Sequence, residues 1–142
     1  MTDLLSPEPH EVVLEIGTGR GYQTALLAEL AARVWSVEIV EELATHAELR
    51  LRQLGYSTVS IRVGDGSRGW VEHAPYDKIL VTAAAEEPPP ALLAQLKPGG
   101  RLILPVGPGE AQWLTVIDKA VAGPIRMQAV IPVQFSRLET VM

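Results

Sequence analysis

Residues 13–21 read VLEIGTGRG, an apolar run that passes directly into glycines at positions 17, 19 and 21. Such a run predicts a buried strand, and the Ala- and Leu-rich residues 23–32 that follow predict a helix. Glycine lets the connecting turn bend tightly and brings the backbone close to a bound molecule, where any Cβ would collide. A strand, a glycine-rich turn and a helix in this order predict the ligand-binding start of an open α/β sheet.

The spacing of these glycines distinguishes between ligand classes. The dinucleotide fingerprint needs glycine at its first, third and sixth positions, and the sixth position here is Tyr22. A P-loop would need Gly-Lys followed by Ser or Thr, which this sequence does not contain. The remaining E-x-G-x-G-x-G pattern is typical of S-adenosylmethionine sites, with its acidic residue near the cationic methionyl end of the cofactor. The predicted cofactor-binding residues of this segment are Glu15, Gly17, Thr18, Gly19 and Gly21. The alternative is a turn that only packs a helix on a strand.

Apolar runs and helical stretches alternate along the rest of the chain, which predicts βαβ units and a parallel sheet. Five strands are expected at 12–16, 34–37, 59–63, 76–81 and 101–104, with further helices at 41–54 and 88–96. The second helix should bury Leu43, Ala47, Leu51 and Leu54, and residues 97–100 should form a turn. Two strands without a helix between them, 113–117 and 125–133, predict an antiparallel pair at one sheet edge. The expected architecture is a single domain (1–142) with a doubly wound, mostly parallel sheet and antiparallel C-terminal strands.

Glu38 is the second candidate binding residue. It ends the second predicted strand, 21 residues after Gly17, and so should lie beside the glycine turn at the carboxyl edge of the sheet. A carboxylate there can accept hydrogen bonds from both ribose hydroxyls of a nucleoside. Ile39, the next residue, would pack on one face of the adenine. A solvated surface charge is the alternative for Glu38.

The third predicted strand ends in Gly64-Asp65-Gly66, on the same edge of the sheet. The Asp65 carboxylate can accept a hydrogen bond from the adenine amino group, and the flanking glycines let the ring approach. Aspartate is also favoured in turns because it bonds the local backbone, and this alternative stays open.

The composition of the chain limits the kinds of partner and the cellular compartment that we expect. The net charge is −5, with 12 basic and 17 acidic residues, so neither nucleic acid nor a membrane surface is an expected partner. The absence of cysteine excludes disulfides and thiolate chemistry. No apolar stretch approaches the ~20 residues that span a bilayer, and we expect a cytoplasmic protein. The histidines, His10, His46 and His73, show no ligand spacing, and no metal site is expected.

Four segments together resemble the protein-L-isoaspartate O-methyltransferase family. They are VLEIGTGRGYQT at 13–24, VGDG at 63–66 with Trp70 after it, APYDKILVTAA at 74–84, and QLKPGGRLILPVG at 95–107. The first segment alone would indicate only a methyltransferase. All four segments, in the family's order, make the resemblance specific to the isoaspartyl methyltransferases. The tail VQFSRL at 133–138 is similar in part to the family's V-R-F-V-P-L.

The resemblance implies methyl transfer from S-adenosylmethionine to the free α-carboxylate of isoaspartyl residues in damaged proteins, with S-adenosylhomocysteine as product. Isoaspartyl proteins or peptides would then be the partners, and the activity would serve protein repair. Thr82, at the carboxyl end of the fourth predicted strand, is the candidate substrate-facing donor. A β-branched strand residue with a locally satisfied hydroxyl is the alternative. Two alternative functions stay open. The chain could be a methyltransferase that acts on a different acceptor, or a catalytically weak module that binds S-adenosylmethionine or S-adenosylhomocysteine.

Family members carry, ahead of the first strand, a Ser or Thr followed closely by Pro and by His or Tyr. The first five residues, MTDLL, resemble the end of the helix that follows that segment, and Ser6 precedes the strand at the opposite edge of the sheet. We therefore expect the hydroxyl-bearing segment to be missing from these 142 residues. Methylation of an isoaspartyl peptide should then be at least ~100-fold slower than in a full-length relative. The apolar side left uncovered would favour a homo-oligomer.

Overall fold

The computed structural model describes residues 1–140, which form seven strands and four α-helices. The strands are β1 (Val12–Ile16), β2 (Arg33–Glu38), β3 (Val59–Val63), β4 (Tyr76–Val81), β5 (Leu96–Val106), β6 (Gln112–Lys119) and β7 (Ile125–Val133). The helices are α1 (Thr2–Leu5), α2 (Tyr22–Leu30), α3 (Glu41–Gln53) and α4 (Pro90–Gln95), and 3₁₀ turns lie at Gly66–Arg68 and Val71–His73.

One sheet contains all seven strands, in the order β3-β2-β1-β4-β5-β6-β7. Strands β1 to β5 pair in parallel, whereas β6 pairs antiparallel with both β5 and β7. Helices cover both faces: Leu5 and Leu27 pack on one, and Leu92 packs on the other. The predicted doubly wound, mostly parallel sheet with antiparallel C-terminal strands is confirmed.

The central strand β4 shows why the sequence forms a parallel sheet. Its residues Ile79, Leu80 and Val81 have no exposed surface, although successive side chains point to opposite faces. Ile79 and Val81 belong to one core cluster and Leu80 to the other. A strand buried on both faces is what an uninterrupted apolar run predicts. Strands β1, β3 and β4 have the predicted bounds.

Helix α3 buries part of its predicted face. Ala47 and Leu51 are buried as predicted, whereas Leu43 and Leu54 are 37% and 64% exposed and Ala44 is buried in addition. The small residues Ala44 and Ala47 allow the helix to approach its neighbours closely. Gly21, at the start of α2, lies against this face: a Cβ there would be 3.4 Å from the Cβ of Ala47.

The predicted turn at residues 97–100 is wrong, because these residues form the first part of β5. Leu96 pairs with Tyr76, and the register shifts before Arg101 pairs with Lys78. Gly100 is buried at this irregularity, where a Cβ would lie 2.7 Å from the carbonyl oxygen of Asp77. Gly100 therefore permits the close approach of β4 and β5.

The other predicted bounds differ by a few residues. Helix α2 ends at Leu30, α4 begins only at Pro90, and β2 begins at Arg33. Within residues 1–140, no helix combines the length and the apolar character that crossing a bilayer requires.

Candidate functional site

A cavity of about 310 Å³ opens at the carboxyl ends of β1, β2 and β4, where the order of connections reverses. This is the position at which open α/β sheets bind their ligands. Six of the predicted site residues line it: Gly17, Gly19, Glu38, Ile39, Gly66 and Thr82. The other lining residues are Ile16, Val37, Val40, Leu43, Ala83, Ser136, Arg137, Leu138 and Glu139.

The glycine turn needs its first glycine for two reasons. Gly17 has φ of 96°, in the left-handed region, and a Cβ there would lie 2.4 Å from the Thr82 Oγ1 atom. Its amide donates to the Val37 carbonyl oxygen at 2.8 Å, so the turn is attached to β2 as it leaves β1. The backbone of this turn forms one wall of the cavity.

Glu38 is held in a fixed orientation at the end of β2. Its side chain is 6% exposed; Oε1 accepts from the Gly19 amide at 2.7 Å and Oε2 accepts from the Val40 amide at 3.0 Å. Each carboxylate oxygen can accept more than one hydrogen bond, so both retain capacity for a ligand hydroxyl. The carboxylate thus connects the glycine turn to the start of α3 and faces the cavity.

Glu15 lies beneath the glycine turn rather than in the cavity wall, and its expected place near the methionyl end of the cofactor stays a prediction. Its carboxylate is fully buried and accepts hydrogen bonds from the hydroxyls of Thr24 and Ser36, the latter at 2.7 Å. The Ser36 hydroxyl also contacts that of Thr18 at 2.5 Å, which explains why Thr18 is buried. Burial raises the pKa of Glu15 from 4.5 to about 7, although the two hydrogen bonds oppose the shift. A side chain without exposed surface acts on a ligand only through the turn above it.

The Asp65 side chain caps the 3₁₀ turn that follows β3. Its Oδ1 accepts from the Ser67 amide at 2.9 Å and from the Ser67 hydroxyl at 2.6 Å. This is the local backbone bonding that was the alternative for an aspartate in this turn. Asp65 and Gly64 are not among the residues that line the cavity, so their contacts with adenine stay predictions.

Gln95 was not predicted from the sequence. Its side chain holds the loop that follows β3, at Arg68 and Trp70. This buried side chain at the end of α4 accepts from the Trp70 amide at 2.9 Å and donates to the Arg68 carbonyl oxygen at 2.8 Å. A single amide thus fixes the backbone on both sides of Gly69. No motif indicates this role, because the two partners are 25 and 27 residues away in sequence.

Gly66 should tolerate a side chain much less well than its neighbour Gly64. A Cβ on Gly66 would lie 2.2 Å from the Ile16 Cγ2 atom, whereas one on Gly64 has only contacts of 3.8 Å or more. We expect Gly66→Ala to lower the free energy of unfolding by about 1–3 kcal/mol through overpacking. Gly64→Ala, the matched control, should change it by less than about 1 kcal/mol. Urea unfolding followed by circular dichroism measures both variants. Equal effects would show that Ile16 moves aside at little cost.

Thr82 is oriented differently from the expectation. Its hydroxyl donates to the carbonyl oxygens of Ile16 and Gly17, at 3.2 and 3.0 Å, so its proton is directed at the backbone of the glycine turn. The locally satisfied hydroxyl was the alternative reading, and the structure favours it. Thr82 therefore positions Gly17 through this hydroxyl, and its expected role as a donor to the substrate stays a prediction.

The C-terminal tail forms the outer wall of the cavity. Beyond β7 the chain returns to pair with Ala84, which donates to the Ser136 carbonyl and accepts from the Leu138 amide, both at 2.8 Å. Leu138 packs on the same core cluster as Leu92. Only a partial motif match at 133–138 is visible in the sequence, and it does not indicate that the tail reaches the site.

The histidines and tryptophans lie outside this cavity. All three histidines are exposed, and His73 stacks on Trp35 with ring centroids 3.6 Å apart, while Trp70 meets both rings edge-on. At the amino end of β1, ligand atoms of Glu8, His10 and Glu11 lie within 4.8 Å of one another. The sequence reasoning did not foresee that grouping, in which Glu11 also pairs with Lys78 at 3.4 Å.

Comparison with known proteins identifies the family of the chain. The family model described as protein-L-isoaspartate(D-aspartate) O-methyltransferase (PCMT) matches residues 1–140. This chain belongs to that family. The resemblance inferred from the four sequence segments is therefore confirmed.

Curated members of the PCMT family are about half identical to the chain. Protein-L-isoaspartate O-methyltransferase 1 of Polaromonas sp. is 51% identical over 139 residues, which are 98% of this chain and 59% of the relative. The enzyme of that name from Anaeromyxobacter dehalogenans (strain 2CP-1) is 56% identical over 137 residues, or 95% of this chain and 66% of the relative. The chain thus spans about three fifths of the length of such relatives.

Solved structures give the same architecture. A protein-L-isoaspartate O-methyltransferase superposes with a TM-score of 0.89 at 29% identity, covering 96% of this chain and 44% of that one. A Plasmodium falciparum chain assigned to the same enzyme, in complex with S-adenosyl-L-homocysteine, superposes at 0.80 with 23% identity over 94% of this chain and 68% of that one. The latter similarity establishes the fold.

Proposed function

We propose that this PCMT-family chain binds S-adenosylmethionine and transfers its methyl group to the α-carboxylate of isoaspartyl residues in proteins or peptides. One observation carries the proposal. The Glu38 carboxylate is fixed by the amides of Gly19 and Val40 at the edge of a cavity that the glycine turn also lines. An acceptor pair oriented in this way fits the two neighbouring hydroxyls of a ribose.

The remaining contacts with the cofactor follow from the positions of the lining residues. Ile39 and Leu43 offer apolar surface beside Glu38 for the adenine, and Gly66 leaves room on the other side. The backbone of Gly17 and Gly19 lines the cavity and would face the methionyl end of the bound cofactor. The buried Glu15 Oε2 atom has no hydrogen-bond partner among the described residues. A cationic ligand above the turn would favour the ionised form of this carboxyl, whose pKa burial raises to about 7. These features fit S-adenosylmethionine in shape and charge.

The reaction asks little of the protein beyond positioning. When bound, the cofactor supplies a methyl group on a sulfonium, which is a good leaving group. A carboxylate is already ionised at neutral pH, so no side chain has to remove a proton from the acceptor. The chain must exclude water and hold the acceptor in line, and orientation of that kind can lower the barrier by several kcal/mol. The tail from Ser136 to Glu139 forms the wall that would exclude water.

The first test is binding of S-adenosylhomocysteine. We expect a titration heat without added metal, together with a rise in the thermal midpoint, because a ligand that binds only the native state stabilises it by about 2.7 kcal/mol at 100 times its Kd. Calorimetry and thermal unfolding monitored at increasing ligand concentration measure the two effects. Neither heat nor a shift at millimolar ligand would contradict the proposal.

The second test concerns the acceptor. Radiolabelled methyl transfer to an isoaspartyl peptide should exceed transfer to the same peptide with a normal aspartyl linkage. Binding of S-adenosylhomocysteine without transfer to either peptide would favour a different acceptor or a binding module. A cytoplasmic location and self-association of the chain stay predictions.

A further inference from the structure

Arg137 lies between the cofactor cavity and a second, adjoining cavity at the carboxyl edge of the sheet. The adjoining cavity has a volume of about 450 Å³ and is bounded by Ser67, Glu86 and Pro89. Arg137 and Leu138 line both cavities. A molecule that enters through the adjoining cavity therefore passes Arg137 before it reaches the glycine turn.

The backbone on either side of Arg137 is fixed. The bridge to Ala84 holds Ser136 and Leu138, and Leu138 is anchored in the core. The guanidinium Nη2 donates to the carbonyl oxygens of Gly107 and Gly109, at 2.7 and 2.5 Å, which tie it to the loop after β5. An arginine held at one nitrogen keeps its other donors in a defined direction.

Within residues 1–140, no carboxylate neutralises the charge of Arg137. Both of its acceptors are neutral carbonyls, and no carboxylate of residues 1–140 lies within 4.0 Å of its guanidinium. Among the described residues that line either cavity, Arg137 is the only basic one, against the acidic Glu38, Glu86 and Glu139. A cation that has no carboxylate partner in the described part of the chain, in otherwise acidic surroundings, favours an anionic ligand at that position.

We propose that Arg137 binds the carboxylate of the acceptor and thereby selects it, an inference that rests on the proposed function. In the reaction, an oxygen lone pair of the carboxylate forms the bond to the methyl carbon while the S–CH₃ bond breaks and its electron pair stays on sulfur. The products are a neutral ester and a neutral thioether, and no proton moves. Arg137 therefore attracts the charged acceptor and loses that attraction when the ester forms, so it promotes both capture and release.

The same charge balance assigns Arg137 to binding rather than to barrier lowering. The acceptor loses negative charge on the way to the transition state, so a guanidinium stabilises the bound acceptor more than the transition state. Removing the cation should raise KM and leave kcat unchanged or slightly higher. A merely structural role in holding the tail would lower kcat as well, because the wall of the cofactor cavity would loosen.

The deciding experiment compares two peptides on the full chain saturated with S-adenosylhomocysteine. One peptide contains an isoaspartyl residue, and the other carries an α-carboxamide in place of its α-carboxylate. We expect the parent chain to prefer the carboxylate by about tenfold or more, since hydrogen bonds to charged groups have this strength. Arg137→Gln should bind both peptides equally, whereas Arg126→Gln, which removes the same charge from an exposed position on β7, should keep the preference.

Each other outcome has a definite meaning. A preference retained in Arg137→Gln, equal weakening of both peptides, or no preference in the parent chain would overturn the role of Arg137 while the cofactor site stands. Failure of the parent chain to bind S-adenosylhomocysteine would instead overturn the proposed function, and this inference with it.

Discussion

Replacing Glu38 with alanine is expected to weaken S-adenosylhomocysteine binding by about 1–3 kcal/mol, which corresponds to roughly 5- to 150-fold in Kd. The substitution removes the acceptor of the ribose hydroxyls and leaves the Gly19 and Val40 amides without their partner. Both effects act in a site where the carboxylate is only 6% exposed, so water compensates incompletely. Titration calorimetry at constant ionic strength measures the change.

Glu139→Ala is the matched control for Glu38→Ala. Glu139 lines the same cavity and carries the same charge, but it is exposed, and no hydrogen bond fixes its carboxylate within the described structure. It should change affinity by less than about 0.5 kcal/mol, as expected for an exposed charge. Equal losses in the two variants would mean that overall charge matters rather than the geometry of Glu38. An unchanged affinity in Glu38→Ala would move the ribose contact elsewhere.

The centre of the sheet could be predicted from the sequence because the short apolar runs there also match the burial that the fold imposes. Residues 12–16 and 79–81 are almost entirely apolar, and short runs of this kind predict strands buried on both faces. Glu38 was predictable for the same reason, since the end of a neighbouring parallel strand must meet the glycine turn. The antiparallel tail was predictable from the absence of a helix between its two strands.

Features that depend on contacts distant in sequence were not predictable. The Lys97–Gly100 segment reads as a turn, yet it forms strand because Leu96 pairs with Tyr76. The Thr82 hydroxyl could equally have faced a ligand, and only the close approach of Gly17 shows that it bonds the backbone. The positions of Gln95 and Arg137 depend on how α4 and the tail pack, which no local motif encodes.

Glu15 should make the stability of the protein depend on pH across a specific range. The pKa of its carboxyl is about 7 in the folded chain, because burial disfavours the charged form, and 4.5 is its ordinary value. Below pH 4.5 the carboxyl is protonated in both the folded and the unfolded chain, so it does not lower the free energy of unfolding. Between pH 4.5 and 7 the unfolded chain loses this proton while the folded chain keeps it, so the free energy of unfolding falls as pH rises. The expected total is about 3 kcal/mol, and the loss is complete above pH 7.

Glu15→Gln isolates this effect because the amide cannot ionise. Its oxygen can still accept from Thr24 and Ser36, and its nitrogen replaces the Oε2 atom that lacks a partner, which adds a cost that does not vary with pH. Urea unfolding of both proteins at several pH values should show their difference in stability changing by about 3 kcal/mol in favour of the variant between pH 4.5 and 7. Glu87→Gln, in an exposed loop, should show no such change. A constant difference between Glu15→Gln and the parent would mean that Glu15 is ionised in the folded chain throughout this range, and that the buried hydroxyls of Thr24 and Ser36 suffice to hold its charge beneath the glycine turn.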